Sequence, residues 1–114
     1  MDFWGGLDQL LATQDLIIER PKGSRHPRYN DAVYPLDYGH LQGTTSNDCC
    51  EIDVWRGSLK GVGLVGVICT ADLKKKDAEL KLLVDCTDAE MQKIEAFHNV
   101  GMVGLLIKRP MPDK

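Results

Sequence analysis

The sequence lacks any long apolar run. No stretch of its 114 residues approaches the roughly 20 consecutive apolar residues that a membrane-spanning helix needs. The N-terminal residues have neither the basic start nor the apolar centre of a secretory signal peptide. These two absences argue against a membrane protein and predict a cytosolic one.

The chain also lacks an excess of positive charge. Its 14 lysine and arginine residues are outnumbered by 17 aspartate and glutamate residues, which gives a net charge of -3. A broad basic surface for a nucleic-acid backbone is therefore not expected, although a local cluster could still bind a small polyanion. Single-stranded nucleic-acid binding is further disfavoured because few aromatic residues are present for base stacking.

Cysteine pairs with metal-binding spacing are missing as well. The four cysteines are Cys49, Cys50, Cys69 and Cys86, and no C-x-x-C pair occurs, which argues against a structural zinc site. Adjacent cysteines have strained geometry for a disulfide. In a cytosolic protein we expect reduced thiols.

What is present fits one globular domain over residues 1–114, because 43% of the residues are hydrophobic. Helical spacing of leucines predicts a short helix in "DFWGGLDQLLATQD", and residues 22–48 are predicted as mostly loop and short strand. Strand-like composition marks the segments "LIIERP", "IDVWRG", "VGLVGVICTAD", "AELKLLVDC" and "MVGLLIKRP". The charged connection "LKKKD" predicts an antiparallel pair on either side of it.

One helix has clear boundary signals. Thr87 and Glu90 form a capping box, and Met91, Ile94 and Phe97 make an apolar stripe along "TDAEMQKIEAFHN". Several antiparallel strands and this helix predict a barrel or an α+β architecture.

Carboxylates gather at two predicted strand ends. Asp48 and Asp53 flank the start of "IDVW", and Asp72 and Asp77 flank the "LKKK" loop. Hard oxygen donors of this kind suit Mg²⁺ or Mn²⁺. The ordinary alternative is that aspartate is common in turns because its side chain bonds nearby backbone amides.

A basic loop precedes these carboxylates. Arginine, lysine and histidine residues are crowded into it, and tyrosines follow it. They are Arg20, Lys22, Arg25, His26 and Arg28, then Tyr29, Tyr34 and Tyr38. Guanidinium groups bind phosphate oxygens bidentately, so the loop could hold a phosphate ligand. A solvated basic loop with packed tyrosines is the alternative, and His40 and His98 are interpreted as surface or packing residues rather than general bases.

Taken in order, the segments "IIERP", "HPRY", "YPLDYGHL", "DCCEIDVW" and "TADLKKKDAELK" resemble the family I soluble inorganic pyrophosphatases, and especially short bacterial forms. The resemblance covers about residues 16–81. It implies an OB-type five-stranded antiparallel barrel with one C-terminal helix, Mg²⁺ dependence with Mn²⁺ as an alternative, and hydrolysis of inorganic pyrophosphate to two phosphates. It also implies a homo-oligomer, because related bacterial enzymes are hexamers.

The resemblance assigns metal-binding roles to five carboxylates. Asp48, Asp53 and Asp77 match the ligands of a bridging metal, and Asp72 joins Asp77 where further metals arrive with the substrate. Glu19 matches a carboxylate that is reached through water or metal.

For the substrate, the resemblance points to Tyr34 and Tyr38 near the phosphates and to Arg28 in place of a phosphate-binding lysine. Arg25 and Lys22 could supply further positive charge to the same ligand.

Three positions concern turnover. The resemblance assigns Asp53, Tyr38 and Cys50 to the catalytic group. Cys50, however, stands where the family has an aspartate that orients and deprotonates the attacking water. An ordinary thiol is mostly protonated at neutral pH. Glu79 occupies the place of a family lysine, and Lys81, two residues along the same strand face, could bind the substrate instead. The alternative function is therefore a binding module of the same fold, which holds a metal-phosphate, a nucleotide or a partner protein without efficient turnover.

Overall fold

The computed structural model describes residues 1–46 and 50–111, which form two helices and six strands. Their bounds are α1 Phe3–Thr13, β1 Leu16–Arg20, β2 Asp37–Leu41, β3 Ile52–Arg56, β4 Leu64–Asp72, β5 Asp77–Val84, α2 Asp88–Phe97 and β6 Val103–Lys108. None of the helices in these ranges has the length and hydrophobicity needed to cross a membrane.

The strands form one sheet in the order β1-β2-β3-β5-β4-β6. Neighbouring strands are antiparallel except for β3 and β5, which are parallel. The β4–β5 pair is the antiparallel hairpin that the "LKKKD" connection predicted, with Asp72 opposite Asp77. The domain is therefore mixed α/β and mainly β, which confirms the coarser part of the predicted fold class.

Two features differ from the expected five-stranded barrel. The sheet has six strands rather than five: β6 corresponds to the predicted strand "MVGLLIKRP", and β2, Asp37–Leu41, lies inside the stretch predicted as mostly loop and short strand. Among the described residues, the edge strands β1 and β6 do not pair with each other, so the sheet does not close into a barrel. Gly39 allows β2 to lie against β1, because a Cβ there would come within 1.9 Å of the Ile17 carbonyl oxygen.

Apolar side chains form a core on each face of the sheet. Successive strand residues point to opposite faces, so Val54 and Leu82 pack with Leu7 of α1, while Trp55 and Leu83 pack on the side of α2. The opening helix was predicted from its leucine spacing, and Leu7 is buried.

The capping box of α2 is present as predicted. The hydroxyl of Thr87 accepts a hydrogen bond from the Glu90 amide, and the Glu90 carboxylate accepts one from the Thr87 amide. Met91 and Ile94 of the predicted stripe are buried. The helix ends beside an open cleft on the same sheet face.

Candidate functional site

A cleft of about 300 Å³ lies on the α2 side of the sheet, beyond the end of that helix. Its walls contain acidic, basic and aromatic side chains from the five strands β1 to β5, two loops and the end of α2. The lining residues are Glu19, Arg20, His26, Tyr34, Tyr38, Cys50, Asp53, Trp55, Thr70, Asp72, Lys75, Asp77, Glu79, Lys81, Phe97, His98 and Met102.

Strand periodicity explains how β4 and β5 build the acidic wall. Asp77, Glu79 and Lys81 alternate along β5, so all three point to one face. Thr70 and Asp72 lie opposite Glu79 and Asp77 on the antiparallel neighbour. The parallel pairing of Val54 with Leu82 places Asp53 of β3 beside Lys81.

Lys81 joins the centre of this wall into one hydrogen-bond network. Its ammonium group donates to the Tyr38 hydroxyl at 2.9 Å, to Oδ2 of Asp53 at 2.8 Å and to Oε2 of Glu79 at 3.1 Å. Tyr38 in turn donates to Oδ2 of Asp53 at 2.6 Å. An ammonium group has three N–H donors, so all three N–H groups of Lys81 are used in hydrogen bonds to protein oxygens.

Burial and charge hold two members of this network in their protonated forms. Burial raises the pKa of Tyr38, and the negative charge of Asp53 raises it further. For Lys81 burial alone would lower the pKa, but its interactions with Tyr38 and Asp53 outweigh burial and raise the pKa above the usual lysine value. The network is therefore fixed as a neutral phenol and a cationic amine beside carboxylates.

A basic flank, made of Arg20, His26 and Lys75, shares the lining of the cleft with the acidic wall. Burial lowers the pKa of His26, and the positive charges of Arg20, Lys75 and Arg28 lower it further, which places these cations around the imidazole. The Arg20 guanidinium also donates to the Tyr34 hydroxyl and lies 5.4 Å from the centre of that ring. The backbone amides of Arg28 and Tyr29 donate to Nδ1 of His26, which leaves its N–H on Nε2.

Most of the predicted site residues come together here. The cleft is lined by the predicted metal ligands Glu19, Asp53, Asp72 and Asp77, and by the predicted catalytic or substrate-binding residues Cys50, Tyr34, Tyr38 and Lys81. None of the cysteines within the described ranges, Cys50, Cys69 and Cys86, is in a disulfide. Asp48, the remaining predicted metal ligand, lies outside the described residues.

Three predicted phosphate-binding residues lie outside the lining. Arg25 donates to the Asn30 carbonyl oxygen and so closes its own loop. Lys22 is exposed, and its backbone amide donates to Asp37. Arg28 is exposed, and its positive charge lowers the pKa of His26, which does line the cleft.

The sequence interpretation did not assign Lys75, Thr70 or His98 to the site. For Thr70 a signal existed, because period-two alternation along β4 puts it on the face of Asp72. His98 was interpreted as a surface or packing residue, and it is buried and lines the cleft. The position of Lys75 in the lining depends on the conformation of the β4–β5 turn. In that turn, Oδ1 of Asp72 accepts hydrogen bonds from the amides of Lys74 and Lys75 at 3.0 Å.

The charge balance of the lining favours a cation. The lining contains five carboxylates and, with His26 and His98 neutral, only three cations, Arg20, Lys75 and Lys81, so two negative charges are uncompensated. Within residues 1–46 and 50–111, however, no group of three or more His, Cys, Asp and Glu side chains is placed to hold a metal ion. Mg²⁺ is commonly held by one or two carboxylates together with water and substrate phosphates. The donors fit that kind of site, and the described residues do not form a closed protein cage.

No protein-family model matches this chain, and no curated protein matches its sequence.

Proposed function

We propose that the cleft binds pyrophosphate together with Mg²⁺ and hydrolyses it to two phosphates. The observation that carries the proposal is the mixed charge of a single lining: five carboxylates share the cleft with Arg20 and Lys75, and both cations lower the pKa of His26. A phosphoanhydride with a bound divalent cation carries both complementary charges. Neither a free cation nor a free polyanion does.

Two of the predicted ligands Asp53, Asp72 and Asp77, with Asp77 among them, would hold the cation together with water and substrate phosphates, and Glu19 and Asp48 are further predicted ligands. When bound, Mg²⁺ would supply positive charge that neutralises phosphate oxygens and lowers the pKa of a bound water. Both hydrogen bonds to Asp53 are made to Oδ2, so Oδ1 can accept a hydrogen bond from the attacking water and orient it. Lys81 and Tyr38 act as positioning residues for that carboxylate.

Arg20 and Lys75 would bind the oxygens of the leaving phosphate, because a charged N–H donor makes the strongest hydrogen bonds to phosphate. Trp55 and Phe97 pack edge to face with ring centres 5.4 Å apart and give the cleft an apolar surface. In the same proposal the sheet is an OB-type Greek-key barrel left partly open. Its support is the parallel β3–β5 pair between strands that are not consecutive. The homo-oligomeric state stays a prediction, which sedimentation velocity measures.

The test is phosphate release from pyrophosphate with Mg²⁺, with Mn²⁺ and with a chelator. We expect a metal-dependent rate that Asp77→Ala reduces at least about a hundredfold, because a cation ligand acts on every step that needs charge neutralisation. Asp88→Ala is the control, since that carboxylate is exposed in the first turn of α2. Full activity in Asp77→Ala would refute the assignment.

The second candidate is a binding module for a metal-phosphate or nucleotide ligand without turnover. It is favoured by the three protein hydrogen bonds of Lys81, which withhold that ammonium group from a substrate. Cys50 distinguishes the candidates, because it lines the cleft with a thiol in place of a carboxylate that could accept a proton from water. We expect Cys50→Asp to raise the pyrophosphatase rate about tenfold or more. An unchanged rate, with calorimetric binding of Mg²⁺ and pyrophosphate intact, would favour the module.

A further inference from the structure

His98 caps the C-terminal end of α2 and is one of the residues that line the cleft. Its backbone amide donates to the Ile94 carbonyl oxygen at 3.0 Å, which fixes its position at the helix end. Only 5% of the residue is exposed, yet it lines the cleft beside Trp55. It is a buried polar group that the proposed mechanism leaves unused.

A hydrogen bond from Trp55 determines which imidazole nitrogen carries the proton. The indole N–H donates to Nε2 of His98 at 3.0 Å. Because an indole nitrogen can only donate, Nε2 must accept and cannot carry a hydrogen. The neutral ring therefore has its N–H on Nδ1.

The ring stays neutral over the whole working range of pH. Burial lowers the pKa of His98 to about 3, and the nearby positive charge of Lys81 lowers it while Asp53 opposes. These two charges belong to the central network of the acidic wall. His98 is thus close to Asp53, which the proposed function assigns to the cation, and to Lys81, which positions that carboxylate.

The N–H on Nδ1 has no acceptor. Among the described residues, Nδ1 of His98 is a buried side-chain nitrogen without a hydrogen-bond partner. The ring does not turn easily to find one, because it packs edge to face on Trp55 and on Phe97, with interplanar angles of 75° and 89°. Buried polar groups in folded proteins are almost always paired with protein or ordered water, so this N–H is a donor whose partner the described protein atoms do not supply.

We propose that the Nδ1–H of His98 donates a hydrogen bond to an oxygen of the anion bound in the cleft. This inference rests on the proposed function, because it takes a phosphate oxygen as the acceptor. A neutral donor suits this position, since it completes the binding of an oxygen without adding charge next to Lys81. It also makes recognition directional, because the Trp55 hydrogen bond fixes the ring.

Two substitutions of His98 distinguish the role of Nδ1 from the role of Nε2. In His98→Gln the side-chain amide reaches the position of Nε2 and can accept from Trp55, but the donor at Nδ1 is lost. In His98→Asn the shorter amide reaches the position of Nδ1 and keeps a donor there, while Trp55 loses its partner. A purely structural role of His98 would make the asparagine variant the worse one.

Calorimetric titration of the full chain with Mg²⁺ and pyrophosphate at neutral pH measures the effect. We expect His98→Gln to weaken binding about tenfold, the usual effect of leaving one ligand oxygen without its donor, and His98→Asn to weaken it less than about threefold. Equal binding by the wild type and His98→Gln would overturn the inference and leave the proposed function standing. If the wild type did not bind pyrophosphate with Mg²⁺ at all, both would fail.

Nitrogen-15 NMR of the wild-type imidazole keeps the test independent of how the variants fold. We expect a protonated Nδ1 whose resonance shifts as pyrophosphate is added in the presence of Mg²⁺. An imidazole spectrum that stays constant while calorimetry reports binding would mean that Nδ1 pairs with an ordered water only, and would overturn the inference.

Discussion

Replacing Lys81 by methionine removes the cation at the centre of the acidic wall while keeping a side chain of similar length. The Lys81 side chain is 7% exposed, and it compensates Asp53 and Glu79, whose side chains are 30% and 18% exposed. Methionine can fill the space of the aliphatic part of lysine. The main consequence is therefore electrostatic, because two partly buried carboxylates lose their shared partner.

The cost follows from the burial of these groups. Breaking a buried ion pair by removing one partner costs about 3–5 kcal/mol. Both carboxylates keep some contact with water, so we expect the lower end, about 3 kcal/mol of the free energy of unfolding. For a domain of this size that corresponds to a fall in Tm of roughly 10 °C.

Urea unfolding followed by tryptophan fluorescence measures this loss, since Trp55 is fully buried next to the network. Lys93→Met is the matched control, because Lys93 is exposed on α2 and a surface substitution there should change stability by less than about 0.5 kcal/mol. A loss below about 1 kcal/mol in Lys81→Met would refute the view that Lys81 is a buried counter-charge.

Mg²⁺ adds a second measurement to the same variant. Lys81 and Tyr38 both donate to Oδ2 of Asp53, so removing Lys81 takes away the competing positive charge and leaves that oxygen with one donor, which should favour a cation there. A ligand that binds only the folded state at a hundred times its Kd adds about 2.7 kcal/mol to stability. We expect Mg²⁺ to stabilise Lys81→Met more than the wild type, with a chelator as reference. Equal stabilisation of both proteins would show that Lys81 and the cation do not compete.

Two further predictions concern pH. The pKa values of Lys81 and Tyr38 are raised in the folded state, so above about pH 10 the unfolded chain loses protons that the folded chain keeps, and stability should fall with rising pH. Urea unfolding at pH 9 to 11 should show a smaller loss of stability in Lys81→Met than in the wild type. An identical pH dependence in the two proteins would contradict this prediction. His98 has its pKa lowered to about 3, so as the pH falls below about 6.5 the unfolded chain takes up a proton that the folded chain excludes, which should cost up to about 1.4 kcal/mol per pH unit. The pH dependence of unfolding between pH 4 and 7 should be shallower in His98→Gln, and an unchanged slope would refute burial of the neutral ring.

Local sequence signals predicted the elements whose stabilising contacts are local. The Thr87 and Glu90 capping box was predicted from residues three apart, and it is present. The β4–β5 hairpin followed from two strand-like segments joined by a short charged turn. In both cases the interacting groups are close in the sequence, so their pattern contains the information.

The strand β2 shows the limit of such reasoning, which expected a short strand within residues 22–48 but did not place it. "DYGHL" is short, contains Gly39 and lies in a stretch rich in proline and glycine, all of which favour a loop. It becomes a strand because it pairs with β1 on one side and β3 on the other. Those partners are distant in sequence, and Gly39 is needed for the close approach of β1.

Within the site, too, the positions of strand residues could be predicted from the sequence and the positions of loop residues could not. Period-two alternation could align Asp77 with Lys81, and the structure places them on one face of β5. The direction of loop side chains has no such period, so the sequence could not tell that Arg25 would bond its own loop while Arg20, at the end of β1, lines the cleft.

The two walls of the cleft also differ in how completely their polar atoms are paired. On the acidic wall, Lys81 and Tyr38 fix Asp53 through hydrogen bonds that exist without a ligand, so this side is organised in advance and costs little to order on binding. On the basic flank, Arg20 and Lys75 lie near His26, whose pKa is lowered first by burial and then by their positive charges, so the ring beside these cations is neutral and an incoming anion would supply their counter-charge. Binding energy should therefore arise mainly on the basic side, and geometric precision on the acidic side. That division is what a phosphoanhydride ligand with a divalent cation requires, because its anionic oxygens need charge and its reacting phosphorus needs an oriented water.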